Sequence, residues 1–116
     1  AAGYTSALAG LPLQLPPDAP AGSSHAWHLY VVRLTDGAHI GRDELIGELS
    51  ARGIGTSVHF IPLHRQPYWR DTCALTPQQF PVAEASYHAM LTLPLYTKMS
   101  DADQARVIAA VRELVS

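Results

Sequence analysis

The chain holds one cysteine and one lysine in 116 residues, Cys73 and Lys98. A lone cysteine cannot close an internal disulfide, so nothing here calls for an oxidising compartment. It also leaves a structural zinc site short of thiolates. The single lysine sets a sharper limit: any reaction that needs a lysine must use Lys98 or borrow one from elsewhere. A large excess of charge of either sign is missing as well. The formal net charge is −2, which gives no electrostatic footprint for nucleic acid or an anionic membrane. No apolar run approaches the roughly 20 residues that cross a bilayer. Residues Ala1 to Ser24 contain one charge, Asp18, and lack the basic start of a secretory leader. There is no Gly-x-Ser-x-Gly elbow, no glycine-rich phosphate loop and no pair of carboxylates set for acid–base work.

What is present suits one folded domain. Hydrophobic residues make up 47% and charged residues 16%, the reverse of a disordered composition. Tyr4 to Leu11 reads as the last turns of a helix, stopped at Gly10 with Pro12 beyond. A helix that begins so abruptly, at Ala1 rather than methionine, suggests a piece of a longer protein. Prolines 12, 16, 17 and 20 then make an extended connector. Ala26 to Leu34 reads as a strand, apolar on both faces and so central, or covered by a second subunit or domain. Arg42 to Arg52 reads as a helix with Leu45, Ile46 and Leu49 as its stripe and Gly53 as its stop. A second strand is expected from Gly55 to Ile61, ended by Pro62, and an irregular aromatic segment from Leu63 to Gln79. A third helix starts near Pro81, with Ala83, Tyr87 and Met90 on one face. It is expected to end before Leu93-Pro94, a short strand or extended piece. The last helix opens on Ser100 and Asp103, a capping-box spacing. Its stripe is Val107, Ile108, Val111, Leu114 and Val115. Helices interleaved with a small sheet give a two-layer α/β arrangement.

Six histidines invite a metal reading, but His25/His28 and His59/His64 have no acidic neighbours and the wrong spacing for zinc. The segment Val58 to Trp69 stands out. A strand delivers His59 and Phe60 to its end, proline stops the ladder, and His64, Arg65, Tyr68 and Trp69 follow. Two readings fit: the rim of a polar-ligand site, with histidines as hydrogen-bonding groups, or a strand end with local aromatic packing. His28 reads as a buried structural residue. Tyr68 and Trp69 read as loop packing, Arg65 and Arg70 as solvated, and Lys98 as an ordinary exposed lysine.

Three runs taken in order carry a family resemblance: His25-Ala26-Trp27-His28-Leu29-Tyr30, Arg42-Asp43-Glu44-Leu45-Ile46, and Gly53 through His64. Phe80-Pro81-Val82-Ala83-Glu84, Leu91 through Tyr96 and Ser100-Asp101-Ala102-Asp103 continue it. The ordered set resembles the C-terminal part of the DegT/DnrJ/EryC1/StrS aminotransferases. That resemblance implies an α+β two-layer domain with a small, mostly antiparallel sheet, like the C-terminal small domain of aspartate-aminotransferase-fold enzymes. It implies residues 1–11 as the end of an interdomain helix, 12–24 as a connector and 25–116 as the small domain. The catalytic large domain would be absent. Members of the family use pyridoxal phosphate and work as homodimers. Most move an amino group from glutamate or glutamine to a nucleotide-linked keto sugar, and some act on keto-cyclitols.

By the same resemblance the Schiff-base lysine lies in the missing N-terminal large domain, not at Lys98. The chain alone should then be inactive, with no cofactor bound to it. His59 and Phe60 would approach the sugar or its phosphates, with His64 a further substrate-binding candidate. The family often carries tyrosine where Phe60 stands. A cytoplasmic location, with neither nucleic acid nor membrane as partner, is expected. A removed large domain should leave apolar surface on the Trp27/Leu29/Val31 side or near Tyr4 and Leu8. The competing reading is a free-standing α/β module for binding or dimerisation.

Overall fold

The computed structural model describes residues 1–116. The first helix, α1, covers Ala2–Leu8 and ends before Gly10, whose φ of +79° no other residue type adopts cheaply. Leu13–Gln14 forms a two-residue strand, β1, and Tyr30–Leu34 forms β2. Helix α2 is Arg42–Ala51. It closes with the amide of Gly53 donating to Ser50 and that of Ile54 to Leu49, both at 2.9 Å. This is a Schellman ending, with Gly53 at φ +70° and Leu49 and Ile54 both buried.

Two 3₁₀ turns, Leu63–Arg65 and Pro77–Gln79, flank the short helix α3, Pro67–Thr72. Helix α4 is Pro81–Ala89 and runs without a break into β3, Met90–Leu93. The last helix, α5, is Asp101–Val115. Its cap forms as the sequence predicts: the Asp103 amide donates to Ser100 Oγ at 3.1 Å, and the Ser100 amide to Asp103 Oδ2 at 3.2 Å. No helix is long and apolar enough to cross a membrane.

The sheet is antiparallel throughout, in the order β1-β2-β3, so β2 is the central strand. Tyr30 and Val32 share a face with Leu93 and Leu91 opposite them. That face is covered by Tyr4 and Leu8 of α1, Leu45 and Leu49 of α2, and Val107, Ala110, Val111 and Val115 of α5. The result is the two-layer α/β architecture with a small antiparallel sheet.

Both expected strands are shorter than their sequences suggest, and Pro94 explains much of this. Tyr30 pairs with Leu93, so a longer ladder would set Leu29 against Pro94, which has no amide hydrogen. Ahead of Tyr30 the chain leaves extended geometry, with Trp27 at φ +48°. Gly55 to Ile61 is reduced to one bridge, Ser57 with Thr92. Continuing that pairing would set Gly55 against Pro94 on one side. On the other it would set His59 against Met90, the residue that caps α4. Past Met90 the partner is helix α4, not a strand.

Candidate functional site

Beyond Ser57 the chain becomes an arm. Val58, His59, Phe60 and Ile61 make no backbone–backbone hydrogen bond, and all four are exposed, Phe60 to 91%. The rings of His59 and Phe60 stand 6.2 Å apart at 40°. The arm's lack of a pairing partner places these two residues of the predicted site at the surface. Pro62 then turns the chain into the Leu63–Arg65 turn, and Pro67 opens α3.

His64 is placed differently. It is 4% exposed, stacked on Phe80 at 4.6 Å and 13°, and its Nε2 bonds Glu84 Oε1. Arg65, expected to be solvated, is instead bound to the same carboxylate. Its Nε donates to Oε1 at 2.7 Å and its Nη2 to Oε2 at 2.5 Å. Arg65, then His64, holds the Glu84 carboxyl down to about 2. Glu84 is therefore an ionised acceptor rather than a proton donor. Sequence reading passes over it because its partners lie 19 and 20 positions away, outside any local motif.

A cleft of about 490 Å³ opens beside His64, lined by Pro62, Leu63, Trp69, Leu75, Phe80 and Ala83. Trp69 meets Tyr68 edge to face at 5.3 Å, and Tyr68 is 68% exposed. All the exposed large apolar side chains but Tyr96 thus fall between Val58 and Val82. Tyr4 and Leu8 are themselves fully buried, while Trp27, Leu29 and Val31, on the other face expected to carry apolar surface, are half-buried. The reading of His28 is corrected, since it is exposed at a second cleft with Thr56, Ser57 and Thr92. It lies ahead of β2, where the strand was expected to bury it. Helix α4 buries no residue, so the face of Ala83, Tyr87 and Met90 is not a core face. Lys98 is exposed in the turn before α5. Arg70 pairs with Asp71 on the surface at 2.6 Å.

The arrangement can bind more readily than it can react. His59 offers a ring nitrogen, Phe60 an apolar face, and the cleft an apolar wall.

Comparison with known proteins bears on what is bound. The model of the DegT/DnrJ/EryC1/StrS aminotransferase family matches residues 1–112. An uncharacterised protein of Methanocaldococcus jannaschii is 46% identical over 93 residues, 79% of this chain and 24% of that one. The Bacillus subtilis spore coat polysaccharide biosynthesis protein SpsC is 41% identical over 114 residues, 97% of this chain and 29% of its own. Among solved structures, S. venezuelae DesV, in complex with a ketimine intermediate, matches with a TM-score of 0.80. It is 39% identical over 97% of this chain and 29% of its own. A Streptococcus pneumoniae protein assigned as a sugar aminotransferase, in its PMP form, matches with a TM-score of 0.85. It is 27% identical over 96% of this chain and 28% of its own. The chain thus spans under a third of the length of these relatives.

Proposed function

Since the chain belongs to the DegT/DnrJ/EryC1/StrS aminotransferase family, we propose that it serves as the C-terminal, substrate-covering part of a sugar aminotransferase. In this reading residues 1–11 end an interdomain helix, 12–24 connect, and 25–116 form the small domain. The intact enzyme is a cytoplasmic homodimer. It transfers an amino group from glutamate or glutamine to a nucleotide-linked keto sugar or a keto-cyclitol. The observation that carries the reading is the exposed His59–Phe60 arm on a turn held by a partly buried ion-pair cluster. A free polypeptide gains little by holding an exposed aromatic in place; a surface that meets a substrate does.

Pyridoxal phosphate, when bound, supplies an electron sink for the reacting carbon. The residues of this chain do not fit a site for it. Lys98 is exposed in the turn before α5, with Thr97 and Ser100 for near neighbours in sequence and no acidic partner bonded to it. The cofactor is accordingly held by the part of the enzyme outside this chain. Residues of this chain act on the substrate's sugar and phosphate side. The His59 imidazole hydrogen-bonds a hydroxyl or phosphate oxygen, and Phe60 packs on the apolar face of the ring. His64 supports the same turn from behind and borders the apolar cleft. Alone, the chain is inactive.

The test is kinetic, on the enzyme that contains this chain. His59→Ala and Phe60→Ala should each raise KM for the keto sugar by about tenfold, the loss of one hydrogen bond or stacking contact. Turnover of the amino donor should not change. A wild-type KM for the sugar in both variants removes the arm from the substrate site. Treating the isolated chain with pyridoxal phosphate and borohydride is the companion test. Stoichiometric labelling of Lys98 overturns the assignment of the cofactor to residues elsewhere.

A further inference from the structure

One acid in the molecule is engaged far beyond what its helix needs. Glu84 lies in the first turn of α4, where a carboxylate ordinarily complements the helix N-terminus. Its side chain instead faces the arm. Both oxygens take the guanidinium of Arg65, and Oε1 also takes His64. His88 Nε2, one helical turn along, stands 3.3 Å from Oε2, and Arg65 Nη2 lies 2.9 Å from the same nitrogen. A two-pronged arginine–carboxylate contact fixes orientation as well as distance. The Glu84 side chain is 14% exposed and that of His64 is 4% exposed, so water competes weakly for either.

The cluster is anchored from behind. Tyr87 of α4 lies under the guanidinium of Arg65 at 5.5 Å and under that of Arg42 at 5.1 Å. Arg42 is buried at the start of α2, the helix whose Leu45 and Leu49 enter the core. Contacts therefore run from the core through Arg42 and Tyr87 to Arg65, which Glu84 holds in the turn that follows His59 and Phe60. The arm has few other ties. On its sheet side it has only the Ser57–Thr92 bridge, and within it Gln66 Nε2 reaches the Ile61 carbonyl at 3.4 Å.

We propose that Glu84 is the positioning residue of the sugar site: by clamping Arg65 and His64 it fixes the turn that aims His59 and Phe60. The inference rests on the reading of that arm as the substrate contact. Glu84 acts through its partners, not on the sugar.

The experiment uses the enzyme that contains this chain, with two variants. Glu84→Gln keeps the shape and removes the charge; Arg65→Lys keeps the charge and loses the two-pronged geometry. Amide hydrogen exchange across Leu63–Gln66 should quicken by about tenfold in both, as for a lost charge-assisted bond, with β2 and α5 unaltered. KM for the keto sugar should rise by about tenfold while kcat and the donor KM stay within about twofold. Unchanged exchange in the turn overturns the proposal. So does quickened exchange throughout β2 and α5, which marks Glu84 as a general stabiliser. A loosened turn with a wild-type sugar KM in His59→Ala and Phe60→Ala overturns the site reading itself, and the positioning role with it.

Discussion

Tyr4 joins the two ends of the chain. Its ring is fully buried, 5.0 Å from that of Tyr30, and its hydroxyl donates to the Pro94 carbonyl at 2.8 Å. The hydroxyl of Tyr30, in turn, meets Thr5 Oγ1 at 2.9 Å. Tyr4→Phe leaves the Pro94 carbonyl without this donor and should destabilise the fold by about 1 kcal/mol. Urea unfolding of wild type and variant checks this; equal midpoints mean that water takes over the hydroxyl's place. Sequence reading finds the helix around Tyr4 but expects its surface to be open, because nothing local says what packs on it. The same holds for Glu84. Capping explains an acid in a first turn well enough, and only the folded chain brings Arg65 and His64 to it. At His59 and Phe60 the sequence reading expects the end of a paired strand; only the Ser57–Thr92 bridge forms, and both residues are exposed.

At the scale of elements, α2, α4 and α5 follow their local signals closely, while α3 and its two flanking 3₁₀ turns form in the segment expected to be irregular. α5 begins where Ser100 and Asp103 cap each other, and it buries Val107, Val111 and Val115 from the predicted stripe. Ile108 and Leu114 are half-buried at its flanks, and Ala110 joins the core. Ser100→Ala should cost about 1 kcal/mol, since it removes the acceptor for the Asp103 amide. Thermal unfolding with a far-ultraviolet readout tests it, and an unchanged midpoint sinks the claim that the cap matters. α2 ends on Gly53 as its sequence requires. A Cβ there would also meet Arg106 Nη2 at 2.9 Å, whose neighbouring bond ties α5 to the Arg52 carbonyl. The strands are less legible. β-branched and aromatic residues say where a strand could form, but its length depends on a partner. Pro94 and the α4–β3 junction shorten the partner, so both ladders stop early.

The whole molecule is more extended than its length requires. Its radius of gyration is 15.8 Å, against about 13 Å for a compact domain of some 100 residues. Two stretches contribute almost nothing to the core: residues 14–29 bury no side chain, and residues 55–90 bury only His64. Its charges set how stability follows pH. Glu84 is held down to about 2, from an ordinary 4.5, chiefly by Arg65. Asp103 and Glu113 are lowered by Ser100 and Arg52 respectively. The folded forms of these acids bind fewer protons than the unfolded ones. Their stabilisation is therefore present above the ordinary carboxylate range and lost as pH falls, for Glu84 from about 4.5 through about 2. Tyr4 behaves oppositely: burial, then the charge of Tyr96, pushes it up to about 12 from 10.0. Its contribution is present below pH 10 and lost as pH rises towards 12. Urea midpoints measured across pH should fall at both ends, with Tyr4→Phe flattening the alkaline limb. A flat acid limb between pH 5 and 2 counts against the Glu84 cluster.

The sequence by itself determined the family and the helices α1, α2, α4 and α5 with their caps and stops. The caps and stops depend on residues within a few positions of one another: a capping pair, a glycine at positive φ, a proline at a first helical position. Tertiary structure alone decided how long the strands run, where the apolar surface lies and what Glu84 holds. Those outcomes belong to pairs far apart in the chain, Ser57 with Thr92, Tyr4 with Pro94, Arg65 with Glu84. A side chain's burial and charge state are properties of the partner that folding brings to it.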